Sequence, residues 1–439
     1  MADQKTETPN KNPLRAIFDF SREEIPVVLL MFAFFFLFIL VFQMLRPLKK
    51  GMFIEAFGAD TELYAKLLNI VLSIAAVVVY THLVNHMKRH QLLYVISGFF
   101  ALSFAGLSFL LGSPDRPGWA IWGFYLWGDL LTTMMVAAFW AYLTDITHPD
   151  QAKRLYGAIG TGGVIGGIFG ATTAKVLLKP LGTPTILMIA AGLMILLMVV
   201  IFITEYLVGR STRFKKVTAP LRAQSNFGAA LEGARLTFRS KYLFAIMGIM
   251  FFYEIGSQVN DYQFSRFTED LEGLAQTQAY VVNASFYANL LAVFVQLFLV
   301  SLIMRKLGLT VALLILPVAL IASSTAFFMV PTLLVAMFLF ISDNGLNYSI
   351  QQTARESLYV VTTPEEKYKS RAFTNMFIQR LAKGLGIFIL IGLGMLGLKG
   401  ASTRYLSIVT IVVMAVLVVL AIYAGRQFAK MEAQEPASA

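Results

Sequence analysis

The sequence predicts an all-α polytopic membrane protein in which twelve transmembrane helices form two pseudo-symmetric six-helix bundles. Three observations lead to that expectation. Of the 439 residues, 57% are hydrophobic and only 14% are charged, whereas soluble domains average about 25% charged residues. Apolar runs near the roughly 20 residues that a helix needs to cross a bilayer recur from Ile25 to Gly425. Signatures of the first half also return in the second at nearly one offset. Thr147-His148-Pro149-Asp150-Gln151 returns as Thr362-Thr363-Pro364-Glu365-Glu366, Met87-Lys88-Arg89 as Met304-Arg305-Lys306, and Asp129 as Asp343.

Taken in order, the apolar runs place spans at 25–55, 61–86, 92–112, 119–146, 157–179 and 184–208, then at 242–266, 277–303, 309–330, 332–360, 372–397 and 403–425. The first ends in the basic LRPLKKG, and the second gives way to MKRH. The fourth opens on WAIWGFYLWGD, where Trp119 and Trp122 read as interface anchors. The fifth carries GAIGTGGVIGGIFG, with Gly162, Gly166 and Gly170 at four-residue spacing. That spacing makes a smooth face that another helix can approach closely. No Gly-x-Gly-x-x-Gly fingerprint is present there, and the strand that a dinucleotide fold requires is missing. Several runs exceed the minimum length, which implies tilt or projection beyond the bilayer.

The domain plan is a tail over 1–24, a bundle over 25–208, a linker over 209–241, a second bundle over 242–425 and a tail over 426–439. The first 24 residues lack the apolar core and cleavage site of a signal peptide. The linker holds eight basic residues against the single acid Glu232, and its last part reads as an interfacial amphipathic helix. MKRH, AKR (152–154), MRK (304–306) and KYKSR (367–371) all fall on the linker's side of the membrane. By the positive-inside rule both termini are cytoplasmic, and the expected location is the bacterial inner membrane. The net charge of +11 is thus a matter of topology, and no nucleic acid partner is expected. The chain has no Cys and only four His, so neither a metal centre nor a cofactor is expected. Nothing resembles a nucleophile triad or an acid–base pair on a structured loop, which argues against an enzyme.

Charges inside the spans are the functional candidates, because lipid does not tolerate them. The eleventh span contains FIQRLAKGLGIFIL with no acid in it, although a charge at the bilayer centre costs about 2.5 to 3.5 kcal/mol on insertion scales. Arg380 and Lys383 therefore face either a substrate in a water-filled cavity or a partner such as Asp343 or Glu254. Gln379 extends the same polar stripe at i, i+4 to Lys383. Arg46 and Lys49 share a face of the first span at i, i+3, and Lys66 follows in the second. Cations on the first and eleventh spans, one set per half, suit an anion held between the halves, with phosphate the natural group. Asp129, Glu254, Asp261 and Asp343 are candidates for charge pairing or proton coupling. Asp145, Lys153, Arg154, Arg355, Glu356 and Arg371, at inner helix ends, are candidates for gating pairs. Trp127, Tyr262 and Tyr348 are deep enough to stack on a flat ring, or simply to pack.

Two six-helix halves around a midplane site describe the major-facilitator architecture. Within it, the chain resembles the nucleotide transporter family, the ATP/ADP antiporters of plastids and intracellular bacteria. The resemblance is carried by LRPLKKG with Arg46 and Lys49, by Gly58 and Glu62, by Trp127-Gly128, by FWAYLTDIT (139–147) and by AKRLYG (152–157). In the second half it is carried by Tyr348-Ser349, Arg355-Glu356, Tyr359, Lys367, Lys369, Arg371 and Lys383. The pattern departs at Lys50 and Tyr125, where the family places acids, and at the seventh-span glutamate, which falls on Asn260 beside Asp261. Lys66 sits about two residues before the expected site at Leu68.

The resemblance implies a secondary transporter of a nucleotide or related phosphorylated anion working by alternating access, as exchanger or proton symporter. Its substrate contacts would be Arg46, Lys49, Lys66, Trp127, Asn260, Tyr262, Asn347, Tyr348, Gln379, Arg380 and Lys383. The expected partners are the lipid bilayer, the small anionic solute and protons, with the protein a monomer. Two alternatives stand beside it: a transporter of another organic anion or exported metabolite, and a non-transporting scaffold or lipid-handling protein.

Overall fold

The structure, a computed structural model, describes Ser21 and residues 23–434 apart from 148, 212–213, 215–225 and 398–399. The N-terminal tail, much of the linker and the last five residues thus lie outside the described residues. All regular structure among the described residues is helical. Among the described residues, nine stretches are long and apolar enough to cross a membrane. Two of them are double, because the chain reverses within Glu24–His86 at Gly58 and within Pro149–Arg210 at Gly182. Both glycines have positive φ, 80° and 70°, a region where side chains with a Cβ are strained. The first reversal is visible in its contacts, since Lys50 and Lys66, equally far on either side of Gly58, reach the same carboxylate of Asp261. The eleventh span, built from Thr374–Ile378 and Gln379–Met395, is absent from the nine and completes twelve. Its α-helical part is 17 residues long, shorter than the other crossings.

Each half has its own core. One buried cluster runs from Val27 to Phe214, joined by Val282 of the second half, and the other from Tyr242 to Ala424. In the first half the glycine face of the fifth span packs directly on the first. A Cβ on Gly162, Gly166 or Gly170 would lie 2.6, 2.3 or 2.4 Å from the carbonyl oxygens of Phe32, Phe36 and Leu40. The four-residue glycine spacing is therefore a backbone-to-backbone contact over more than two turns, as the sequence suggests. In the second half, three helices carry a π-helical turn, at Val295–Leu299, Asn347–Gln351 and Thr374–Ile378. Such turns re-aim the side chains that follow and recur at functional sites.

Among the described residues, the contacts that seal the two halves together gather at one membrane end. Gln278 donates to the Leu48 carbonyl at 3.1 Å and accepts from Thr183 at 3.0 Å. Glu269 accepts from the Ala59 amide at 3.1 Å, and Tyr262 donates to Asp60 at 2.6 Å. Ala59, Leu63, Val259, Tyr262, Ile387 and Leu390 seal the same end as an apolar cluster drawn from both halves. Toward the other end, the last bond across the boundary among the described residues is Gln43 to Asn289 at 3.0 Å. Beyond it the halves part around a groove of about 630 Å³. Among the described residues, ion pairs at the open end stay within one half: Arg89 with Asp145 at 3.1 Å, and Arg371 with Glu356 at 2.9 Å. The linker helix Asn226–Arg239 docks on Pro364–Phe373 of the second half through Glu232 to Lys369 at 2.7 Å and Thr237 to Ser370 at 2.7 Å.

Candidate functional site

Pro47 lies inside the first span beside its basic cluster. A proline inside a helix removes a backbone hydrogen bond and bends the axis, and here Arg46, Lys49 and Lys50 fan out around that point. Lys49 turns into the first half. Its ammonium lies 2.6 Å from Asp129 and 2.9 Å from the Tyr125 carbonyl. Gly128 makes this possible, because a Cβ there would lie 2.8 Å from the Lys49 stem. Asn69 donates to the second oxygen of Asp129. Lys50 crosses to the second half and meets Asp261 at 2.5 Å, while Lys66 holds the other Asp261 oxygen at 2.5 Å. Glu62 lies 3.5 Å from Lys50 and 3.8 Å from Lys66 and accepts from the Tyr125 hydroxyl at 3.0 Å. Arg46 reaches Asn344 at 3.2 Å, and its guanidinium sits 5.5 Å from the Tyr348 ring centroid.

These groups line a cavity of about 450 Å³ between the halves. On the opposite wall the eleventh span presents Asn375, Gln379, Arg380 and Lys383. Gln379 donates to Glu254 at 2.6 Å, and Lys383 lies 3.8 Å from the same carboxylate with 41% of its side chain exposed. Arg380 has no hydrogen-bond or ion-pair partner among the described residues. The lining holds six cations, Arg46, Lys49, Lys50, Lys66, Arg380 and Lys383, against three carboxylates, Glu62, Asp129 and Asp261. A cleft with this imbalance between low-dielectric walls concentrates anions. Asp343 lies behind the wall, 2% exposed, accepting from Tyr253 at 2.9 Å and Ser257 at 2.8 Å. Asp129 and Asp343 occupy repeated positions with different chemistry, the first paired to a cation and the second held by neutral hydroxyls.

Several expected contacts lie elsewhere. Trp127 packs on the first-half core, 6.2 Å from Phe99. Asn260 accepts from Thr410 at 3.0 Å, and Tyr262 belongs to the sealed end. Asn347 sits in a π-helical turn and does not line the cavity, and Tyr348 lies at its neck. Asp145, Glu356 and Arg371 pair within their own halves and Arg355 is buried, so among the described residues none of these closes the open end. The side chains of Lys153 and Arg154 lie outside the described residues.

Other lining residues were not among the sequence candidates. Lys50 belongs to the basic cluster of the first span but not to the expected substrate contacts, and Glu62, Asn69, Tyr125 and Gln258 are passed over as contacts. A signal for part of this set exists, since Glu62, Lys66, Asn69 and Ser73 form a polar stripe at helical spacing through an apolar span.

Two helical halves sealed at one end and enclosing a charged cavity define a membrane transporter. The family model described as Major Facilitator Superfamily matches residues 2–171 and 130–389, and the chain belongs to that superfamily. It is 22% identical to ADP,ATP carrier protein 1 of Chlamydia pneumoniae, an alignment covering 93% of each chain. It is 27% identical to ADP,ATP carrier protein 1 of Rickettsia bellii over 171 residues, where it spans about a third of that relative's length. Among solved structures, the nucleoside transporter NupG superposes with a TM-score of 0.59 at 15% identity, covering 94% of this chain and 99% of that one.

Proposed function

We propose that this transporter moves a nucleotide or closely related phosphorylated anion across the bacterial inner membrane by alternating access. The observation that carries the reading is the six-to-three excess of cations over carboxylates in the cavity, with Arg380 left without a partner among the described residues. An uncompensated guanidinium in such a place is costly unless an anion completes it. Phosphoryl oxygens suit the set, since guanidinium offers a planar fork and ammonium groups offer point charges. Relatives named ADP,ATP carriers favour nucleotides among phosphorylated anions. The basic loops put both termini in the cytoplasm. In that orientation the sealed end faces out and the groove opens inward.

The sealed end and the cavity share a residue, because Asp261 binds two first-half lysines that a substrate phosphate would also seek. Binding and reorientation are coupled through that competition. Asp343 is the carboxylate available for proton coupling, since its partners are neutral donors. The test is uptake of labelled ADP into proteoliposomes, with unlabelled nucleotides, nucleosides and other organic anions as competitors. Competition by nucleotides alone supports the assignment. Uptake that other organic anions suppress and nucleotides do not would move the substrate to that class, and no flux of any solute would point to a non-transporting role.

A further inference from the structure

The groove on the open side of the cavity differs from it in chemistry. Arg and Lys are absent from its described lining, and its single carboxylate, Glu356, is tied to Arg371 at 2.9 Å. Four carboxamides face it, Gln43, Asn289, Gln296 and Gln352, together with Tyr348, which is 52% exposed. A neck of about 10 Å³ joins groove and cavity. Gln43, Asn289 and Tyr348 belong to neck and groove, while Arg46, Ser285 and Phe340 belong to neck and cavity. At the neck the Gln43 amide donates to the Asn289 side-chain carbonyl at 3.0 Å, one carboxamide completing another across the two halves.

We infer that this groove is the subsite for the base of the nucleotide, resting on the phosphate reading of the cavity given above. A second phosphate finds no cation in the groove. An acyl chain would offer the carboxamides no hydrogen bonds beyond those that Gln43, Asn289 and Gln296 already make within the protein. A heterocyclic base meets both demands, because its edge carries adjacent donors and acceptors that pair with Asn and Gln, and its face stacks on an aromatic ring. The base would replace the Gln43–Asn289 bond with bonds of the same kind, opening the neck without stranding either amide. Arg46, between Asn344 and the Tyr348 ring, stands where the base-side phosphate passes into the cavity. The groove volume of about 630 Å³ is in the usual range for small-molecule sites, roughly 300 to 1,000 Å³.

The experiment measures Kd for ADP, ribose 5-phosphate and pyrophosphate on the purified full chain and on Gln43→Leu, Asn289→Leu, Tyr348→Leu and Tyr348→Phe. Losing a base–aromatic stack is expected to weaken ADP by about fivefold or more in Tyr348→Leu, with Tyr348→Phe retaining affinity because the ring remains. The two carboxamide variants should weaken ADP while leaving pyrophosphate and ribose 5-phosphate within about twofold, since those ligands present no base edge. Unchanged ADP affinity in every variant, with pyrophosphate binding intact, overturns the base subsite and leaves the phosphate cavity standing. A wild-type protein that binds neither ADP nor pyrophosphate overturns the cavity reading, and the subsite with it.

Discussion

Lys50 of the first span and Asp261 of the seventh meet at 2.5 Å across the boundary between the halves. With Lys66 on the other oxygen of the same carboxylate, also at 2.5 Å, Asp261 occupies the kind of place a substrate phosphate would take. Breaking a buried ion pair by removing one partner typically costs about 3–5 kcal/mol, because the remaining charge is left uncompensated. Asp261→Asn is therefore expected to lower thermal stability without ligand. The stabilisation that pyrophosphate or ADP then confers should exceed that of the wild type, since the ligand supplies the missing negative charge. Equal ligand-induced shifts in the two proteins would separate Asp261 from the anion site.

Arg380 and Lys383 should behave differently from Asp261. Arg380 has no partner to lose among the described residues, so Arg380→Ala is expected to fold and insert with near-normal stability. Hydrogen bonds to charged groups contribute about 1.5–3 kcal/mol, so its Kd for a nucleotide should rise roughly 10- to 100-fold. Lys383→Ala also gives up a 3.8 Å contact to Glu254, and it should abolish transport in a folded, membrane-inserted protein. Wild-type uptake by Lys383→Ala would remove that residue from the site.

Asp343→Asn keeps a group of the same shape beside Tyr253 and Ser257 but cannot carry a proton. If Asp343 couples protons, acid-outside stimulation of uptake should vanish in this variant while nucleotide exchange continues. The measurement is uptake with and without an imposed pH gradient. Stimulation that persists in Asp343→Asn would place coupling elsewhere.

The glycine face of the fifth span makes a structural prediction. A Cβ on Gly166 would lie 2.3 Å from the Phe36 carbonyl, whereas at Gly160 nothing lies within 4 Å. Gly166→Val should lower stability by about 1–3 kcal/mol or more through overpacking. Gly160→Ala should not lower it, and thermal unfolding of the two variants side by side checks the contrast.

The spans and the cationic faces were legible in the sequence because both rest on hydropathy, which a single chain displays directly. Arg46, Lys49, Lys66, Arg380 and Lys383 stood out because charges are rare in apolar runs, and all five line the cavity. Partner choice was not legible, because it depends on helix rotation. Trp127 follows Leu126 on the same helix as Asp129, yet it faces Phe99 while Asp129 faces Lys49. Lys50 reads as a lost acid when positions are compared singly. In three dimensions it is balanced by Glu62 and by Asp261, residues in two other spans. The carboxamide groove was invisible for a related reason: Gln43, Asn289 and Gln352 come from three helices, and no local spacing links them.

The most direct measurement is the thermal stability of the purified protein against ATP, ADP, other nucleotides, nucleosides and simple phosphates. A ligand at 100 times its Kd stabilises by about 2.7 kcal/mol. A shift with nucleotides and none with nucleosides is the predicted result, because the cavity reads the phosphates. No shift with any nucleotide or phosphate at millimolar concentration would contradict the account and leave the likeness to ADP,ATP carriers as one of fold alone.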